Sequence, residues 1–121
     1  MKNVLVIDDD TIIGKLIDRL SQLNGAATTI ARSGEEARSI LQSGARFNVI
    51  FLDLIIPKIS GWDILTAIKD NPATKDTPVV IMTGASLSKE EREKLQNKVS
   101  TIIDKRTFDM AQIEDILKSI S

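Results

Sequence analysis

The chain is predicted to fold as an α/β domain, a doubly wound, five-stranded parallel sheet with five helices. Three observations predict this. Short apolar runs alternate five times with stretches of helical period along 121 residues. The apolar runs are continuous, as strands buried on both faces require, and do not alternate. No repeat, linker or low-complexity tract breaks the rhythm, so a single domain is expected to span residues 1–121. In such a sheet right-handed crossovers bring every strand's carboxyl end to one edge, and ligands bind at that edge near the switch in strand order.

Each element follows from local sequence. Val4, Leu5, Val6 and Ile7 make the first strand. Ile12, Ile13, Leu16, Ile17, Leu20 and Leu23 recur at spacings of three and four, the apolar stripe of a helix that Asn24-Gly25 stops. Asp10 and Thr11 are candidate caps for it. Ala26 to Ala31 reads as a weak second strand. Ser33-Gly34-Glu35-Glu36 opens a second helix through Leu41, closed near Gly44. Asn48 to Asp53 is the third strand, and a helix from about Gly61 to Lys69 ends at Asn71-Pro72. Pro78, allowed at a strand's first residue, begins the fourth strand, PVVIM. Ser88 with Glu91 forms a capping box for a helix through Leu95. Ser100 to Asp104 is the fifth strand, and Asp109 to Ile120 the last helix, with Ile113, Ile116, Leu117 and Ile120 on one stripe.

Composition narrows the function. The chain is 42% hydrophobic and 27% charged with a net charge of -1, so electrostatics give no reason to expect nucleic acid or an anionic membrane as partner. It contains neither cysteine nor histidine. That excludes thiol catalysis, histidine zinc sites, a disulfide scaffold and a phosphohistidine on the chain itself. The apolar runs fall far short of the roughly 20 residues that span a bilayer, and MKNVLVIDDD is no signal peptide, so a cytoplasmic location is expected.

The strand ends carry the chemistry. They supply Asp8-Asp9-Asp10, Asp53, Thr83-Gly84 and Asp104-Lys105, scattered in sequence but neighbours in the expected fold. Two like charges about 4 Å apart near a surface repel by roughly 4 kcal/mol, so converging carboxylates need shared protons or a cation. A hard divalent ion with oxygen ligands, Mg²⁺, resolves the conflict for Asp8, Asp9 and Asp53, with the backbone carbonyl of Ile55 as a further ligand. No phosphate-cradling glycine loop or dinucleotide fingerprint points to a nucleotide. Asp53, alone in the run FLDLII, is the carboxylate placed to act as a nucleophile and become an aspartyl phosphate. Thr83 offers a hydroxyl to a phosphoryl oxygen, and Lys105 a cation to Asp53 or to the added phosphate. Gly84 leaves room, and Pro57 and Gly61 fix the loop that curls back beside the metal. Asp10 reads as a cap.

This constellation resembles the receiver domain of two-component response regulators over essentially the whole chain. VLVIDDD carries the first acids, FLDLIIPKISG the D-x-x-x-P-x-x-x-G segment, VVIMTGAS the hydroxyl position and TIIDKRTF the lysine. The resemblance implies the flavodoxin-like strand order 2-1-3-4-5. It implies that Asp53 takes a phosphoryl group from a partner kinase's histidine, and that Asp9 ligates Mg²⁺ directly while Asp8 acts mostly through water. Thr83 and Lys105 then contact the phosphate and couple it to surface rearrangement. The chain departs from the pattern twice. Arg106 stands where proline usually follows the lysine, so a trans bond and a rerouted loop are expected there. Ile102 fills the switch position three before the lysine, usually aromatic. The tail SLSKEEREKLQNKVSTIIDKRTF is similar to receivers of hybrid sensor kinases, some of which also lack that proline. Ile55 and Ala85, two residues after Asp53 and Thr83, cannot orient water or act as bases, which implies a long-lived phosphorylated state.

The expected function is a phosphorylation-dependent switch that promotes its own aspartyl phosphorylation and dephosphorylation. The expected partners are a sensor histidine kinase or histidine phosphotransfer protein, and a downstream protein target. No output domain is expected after Ser121. The protein is expected to be a monomer, or a weak dimer through the face of the fourth helix, fifth strand and fifth helix. Two other readings stay open: a Mg²⁺-dependent phosphohydrolase with an aspartate nucleophile, and a degenerate receiver that only binds protein.

Overall fold

The computed structural model describes residues 2–84 and 86–120. Five strands, β1 (Lys2–Ile7), β2 (Ala26–Ala31), β3 (Val49–Leu52), β4 (Val79–Thr83) and β5 (Thr101–Asp104), alternate with α1 (Thr11–Leu23), α2 (Gly34–Gln42), α3 (Gly61–Asp70), α4 (Lys89–Gln96) and α5 (Met110–Ser119). The strands form one sheet in the order β2-β1-β3-β4-β5, every pair parallel. This is the predicted doubly wound architecture. β3, β4 and β5 start one residue later than the sequence suggests, because Asn48, Pro78 and Ser100 bond to the sheet only at its margin: Asn48 donates its N–H to the Asn3 carbonyl, and the Pro78 carbonyl accepts from Ile50. Asp53 likewise stands just past β3, donating its N–H to the Ile7 carbonyl at 2.9 Å.

The continuous apolar strands split by residue parity into two core layers. Val4, Val6, Val49, Phe51, Val80 and Met82 face α1 and α5. Leu5, Ile7, Ile50, Leu52 and Ile81 face the α2, α3 and α4 side. β3 is buried at every position, so its carboxyl end delivers Asp53 from the centre of the molecule. β1 connects through α1 to one side and β3 lies on its other side, which makes the β1–β3 edge the switch point where a crevice opens.

The helix ends behave as their sequences predict. Asp10 caps α1, its Oδ1 accepting the N–H groups of Ile12 and Ile13 at 2.9 and 3.4 Å. Ser88 and Glu91 form the expected capping box on α4. A second box, Asp109 with Gln112 on α5, obeys the same rule but was not anticipated. Of α4, only Leu95 is buried, so the KEEREK stretch is a solvated face.

The loop between β3 and α3 is tied to α2 by close approach. A Cβ on Gly34 would run into Ile59, and Lys58 adopts the left-handed conformation with φ 71°. Lys58→Gly is expected to stabilise the fold by roughly 0.5–1 kcal/mol, the left-handed penalty less the entropy glycine adds to the unfolded chain. Urea unfolding reads this directly. A net loss would mean that the exposed Lys58–Glu35 ion pair, 3.6 Å long, outweighs the backbone strain.

Candidate functional site

The predicted acids and the lysine meet at the carboxyl edge. Asp8 follows β1, Asp53 follows β3, and Lys105 follows β5 across the intervening β4. One carboxylate oxygen from each of Asp8, Asp9 and Asp53 falls within 4.8 Å of the others. Asp8 and Asp53 are 3% and 5% exposed, whereas Asp9 faces solvent. Two buried carboxylates beside a third is an arrangement that burial alone opposes.

The folded chain answers part of that cost. Lys105 Nζ donates to Asp53 Oδ2 at 2.8 Å and lies 2.7 Å from Asp8 Oδ2. The other oxygen of each acid takes a backbone donor two residues on: Asp10 N–H to Asp8 Oδ1 at 2.9 Å, and Ile55 N–H to Asp53 Oδ1 at 3.0 Å. Burial still dominates at Asp8 and holds its carboxyl above the ordinary 3.8, although Lys105 and the Asp10 N–H pull it down. At Lys105 burial works to lower the amine, but the hydrogen bonds to Asp53 and Asp8 win and hold it above the ordinary 10.5. Lys105 is therefore no solvated loop lysine.

An open cleft of about 360 Å³ is lined by Asp9, Asp10, Asp53, Ile55, Gly84 and Lys105. Ile55 is 62% exposed on its rim. Nothing lies within 4 Å of where a Gly84 Cβ would stand, so this glycine leaves the predicted space. Gly61 does the opposite. Its N–H donates to the Leu54 carbonyl at 3.0 Å, and a Cβ there would overlap Leu54 Cα and lie 2.5 Å from the Asp53 carbonyl oxygen. The start of α3 thus rests directly on the backbone that carries Asp53.

Thr83 and Ile102 occupy a neighbouring place. Thr83 is buried at the end of β4, and with Ile102, Leu87, Arg92 and Asp104 it lines a second cleft of about 240 Å³ between α4, β5 and α5. Ile102 is half-buried against the α2–α4 side of the core, as is Trp62. Ala85 lies outside the described residues, so of the two positions expected to leave an attacking water unoriented only Ile55 is described. A larger groove of about 620 Å³ opens at the opposite, amino edge, where Arg46 and Asp76 mix with apolar walls. None of the predicted site residues lines it.

The peptide bond before Arg106 is trans, as expected, since no cis bond occurs among the described residues. Sequence reasoning missed what Arg106 does. Its guanidinium grips Asp104, with Nε to Oδ1 at 3.0 Å and Nη2 to Oδ2 at 2.8 Å, and its backbone N–H donates to Oδ1 at 2.8 Å. Hydrogen bonding from Arg106 lowers the Asp104 carboxyl to about 2. The signal was present as an acid and an arginine two apart at a strand end, a spacing that suits an Asx turn.

The donor set suits a hard divalent cation: carboxylate oxygens only, close together, with more negative charge than one lysine balances. No helix among the described residues is long and apolar enough to cross a membrane.

Known proteins share both the sequence pattern and the fold. Two-component response regulator ARR7 of Arabidopsis thaliana is 28% identical over 127 residues, covering 95% of this chain and 62% of its own length. Other curated relatives are covered still less, at 11% and 34% of their lengths, so the chain spans under two thirds of each of these three. The chemotaxis protein CheY4 of Vibrio cholerae superposes with a TM-score of 0.84 at 25% identity, covering 100% of this chain and 99% of that one. The Mn(2+)-bound form of response regulator Rcp1 superposes with a TM-score of 0.79 at 25% identity, covering 98% and 90%. Residues 4–118 match the response regulator receiver domain family. Since that match takes in all five strands' carboxyl ends, the chain belongs to the response regulator receiver domains, and its function is phosphorylation-dependent signalling.

Proposed function

We propose that residues 1–121 act as a single receiver unit in which Asp53 accepts a phosphoryl group from a phosphohistidine on a partner kinase or phosphotransfer protein. The observation that carries this is the sharing of one lysine by two buried carboxylates, with the third carboxylate within reach in the same cleft. An Asp53 oxygen attacks phosphorus with its electron pair, the bond from phosphorus to the imidazole nitrogen breaks, and the nitrogen keeps that pair. Asp8, Asp9, Asp53 and the Ile55 carbonyl are the residues to hold Mg²⁺, and the Mn(2+)-bound form of the similar Rcp1 supports a divalent ion there. When bound, the ion supplies positive charge against the phosphoryl oxygens.

Lys105 orients Asp53 beforehand and then neutralises the added phosphate. Thr83 supplies its hydroxyl as a phosphate contact, and burial of Thr83 beside Ile102 suits a switch that links the phosphorylated edge to the α4–β5–α5 face. Output then passes to a downstream protein or along a phosphorelay, with no direct role for nucleic acid or membrane. Ile55 occupies the place where a phosphohydrolase would carry a second acid, which favours the switch over an enzyme that turns over free substrates.

Intact-mass measurement after incubation with Mg²⁺ and acetyl phosphate tests the proposal. The expected result is a gain of one phosphoryl group that disappears without Mg²⁺ and is absent in Asp53→Asn. Phosphorylation that survives in Asp53→Asn would move the acceptor elsewhere. Steady turnover of small phosphomonoesters would instead favour the hydrolase.

A further inference from the structure

The turn that carries Lys105 is built around one carboxylate. Asp104 ends β5, and its two oxygens take the backbone N–H, Nε–H and Nη2–H of Arg106. Its carbonyl takes the N–H groups of Thr107 and Phe108 at 3.2 and 3.0 Å. Lys105 sits inside this knot, and its own N–H donates to the Thr83 carbonyl at 3.0 Å. The tip of the Lys105 side chain must meet two carboxylates at 2.7 and 2.8 Å. A long, rotamer-rich side chain is held at its tip only if its backbone is fixed, because freedom at the root multiplies along the stem.

Neither Asp104 nor Arg106 reaches the acids of the cleft. Their side chains are 30% and 58% exposed, and exposed ion pairs as such contribute little to stability. The fork of two parallel bonds adds geometric definition where it adds little energy. We propose that Asp104 and Arg106 are positioning residues for Lys105: together they clamp the turn so that the lysine amine is delivered to Asp8 and Asp53. The proposal rests on the phosphoacceptor reading of Asp53 for its consequence, not for its geometry.

The clamp has a signature that a folding role would not produce. Lys105 both competes with a cation for Asp8 and Asp53 and receives the incoming phosphate. Loosening it therefore leaves Mg²⁺ affinity the same or tighter while phosphoryl transfer slows. Three readouts on the intact chain test this in Asp104→Ala, Arg106→Ala, Asp104→Asn and Lys105→Ala. The first is the ¹³C-relaxation order parameter of Lys105 Cε, expected to fall in Asp104→Ala and Arg106→Ala towards that of the exposed Lys58. Asp104→Asn keeps an acceptor for the Arg106 N–H and should lie between. The second is Mg²⁺ affinity by calorimetry. The third is the acetyl phosphate rate constant at saturating Mg²⁺, expected to fall about tenfold, within what misplacing one catalytic group costs. Arg106→Ala should slow a Lys105→Ala chain no further, since the pair acts through that lysine.

An ordered Lys105 in Asp104→Ala and Arg106→Ala would overturn the proposal. So would Mg²⁺ affinity and rate falling together, or losses that add to that of Lys105→Ala. If Lys105 loosens while the wild-type chain takes no phosphoryl group, the phosphoacceptor reading fails and the positioning role stands. If the chain is phosphorylated and Lys105 stays ordered without the clamp, the reverse holds.

Discussion

Gly61→Ala is expected to cost about 3 kcal/mol or more, an overpacking penalty at the top of the usual range because the obstacle is backbone. The added Cβ would overlap Leu54 Cα, with the Asp53 carbonyl oxygen at 2.5 Å. A flexible side chain could swing aside. These atoms cannot, since the Asp53 N–H is bonded to the Ile7 carbonyl and the Gly61 N–H to the Leu54 carbonyl. Either α3 lifts away from the sheet or the chain moves at Asp53 itself. Urea unfolding measures the loss, and the fraction of Asp53 that can be phosphorylated should fall with it. Gly14→Ala is the control from the same residue type. Its Cβ would meet only the Ile30 side chain at 3.5 Å in the interior of α1, so it should stabilise by roughly 0.5–1 kcal/mol through helix propensity. Equal costs for the two substitutions would refute the steric account.

Asp8→Asn is expected to make the protein more stable and less functional. The folded chain holds the Asp8 carboxyl above its ordinary 3.8, burial outweighing the help of Lys105. The native state therefore binds this proton more tightly than the unfolded state does. As pH rises from 3.8 through the raised value, native stability falls, and above that window the full penalty remains. The amide removes it. Asp8→Asn should gain on the order of 1 kcal/mol at neutral pH, a size typical of easing one costly functional site, and the gain should fade as pH drops through the window towards 3.8. Denaturant melts of both chains at several pH values check the sign. The same change should weaken Mg²⁺ binding or phosphorylation by about 10–100-fold, as loss of a group that supports a metal commonly does. A variant less stable than the wild type at neutral pH would show that the bond from Lys105 outweighs the burial.

Much of this was legible in the sequence. Unbroken apolar runs named the strands, and spacings of three and four named the helices. Asn24-Gly25 and Gly44 marked helix ends, and both glycines adopt positive φ. The acids and Lys105 could be assigned to one edge because parallel strands with helical crossovers leave no other place for them. The two-core partition also follows from residue parity along β3 and β4.

What the sequence could not give was pairwise geometry. That one amine serves both Asp8 and Asp53, that Thr83 lines a different cleft from Gly84, and that Arg106 folds back on Asp104 depend on distances set by how four strands and their loops pack together. The run TIIDKRTF announced a missing proline but not the clamp that stands in its place. Local sequence fixes what each segment prefers, because propensity and patterning act over a few residues. The site joins residues as far apart as 8 and 105, and only the assembled sheet, with its fixed register and its buried carboxylates, decides which of them touch and what their proximity costs.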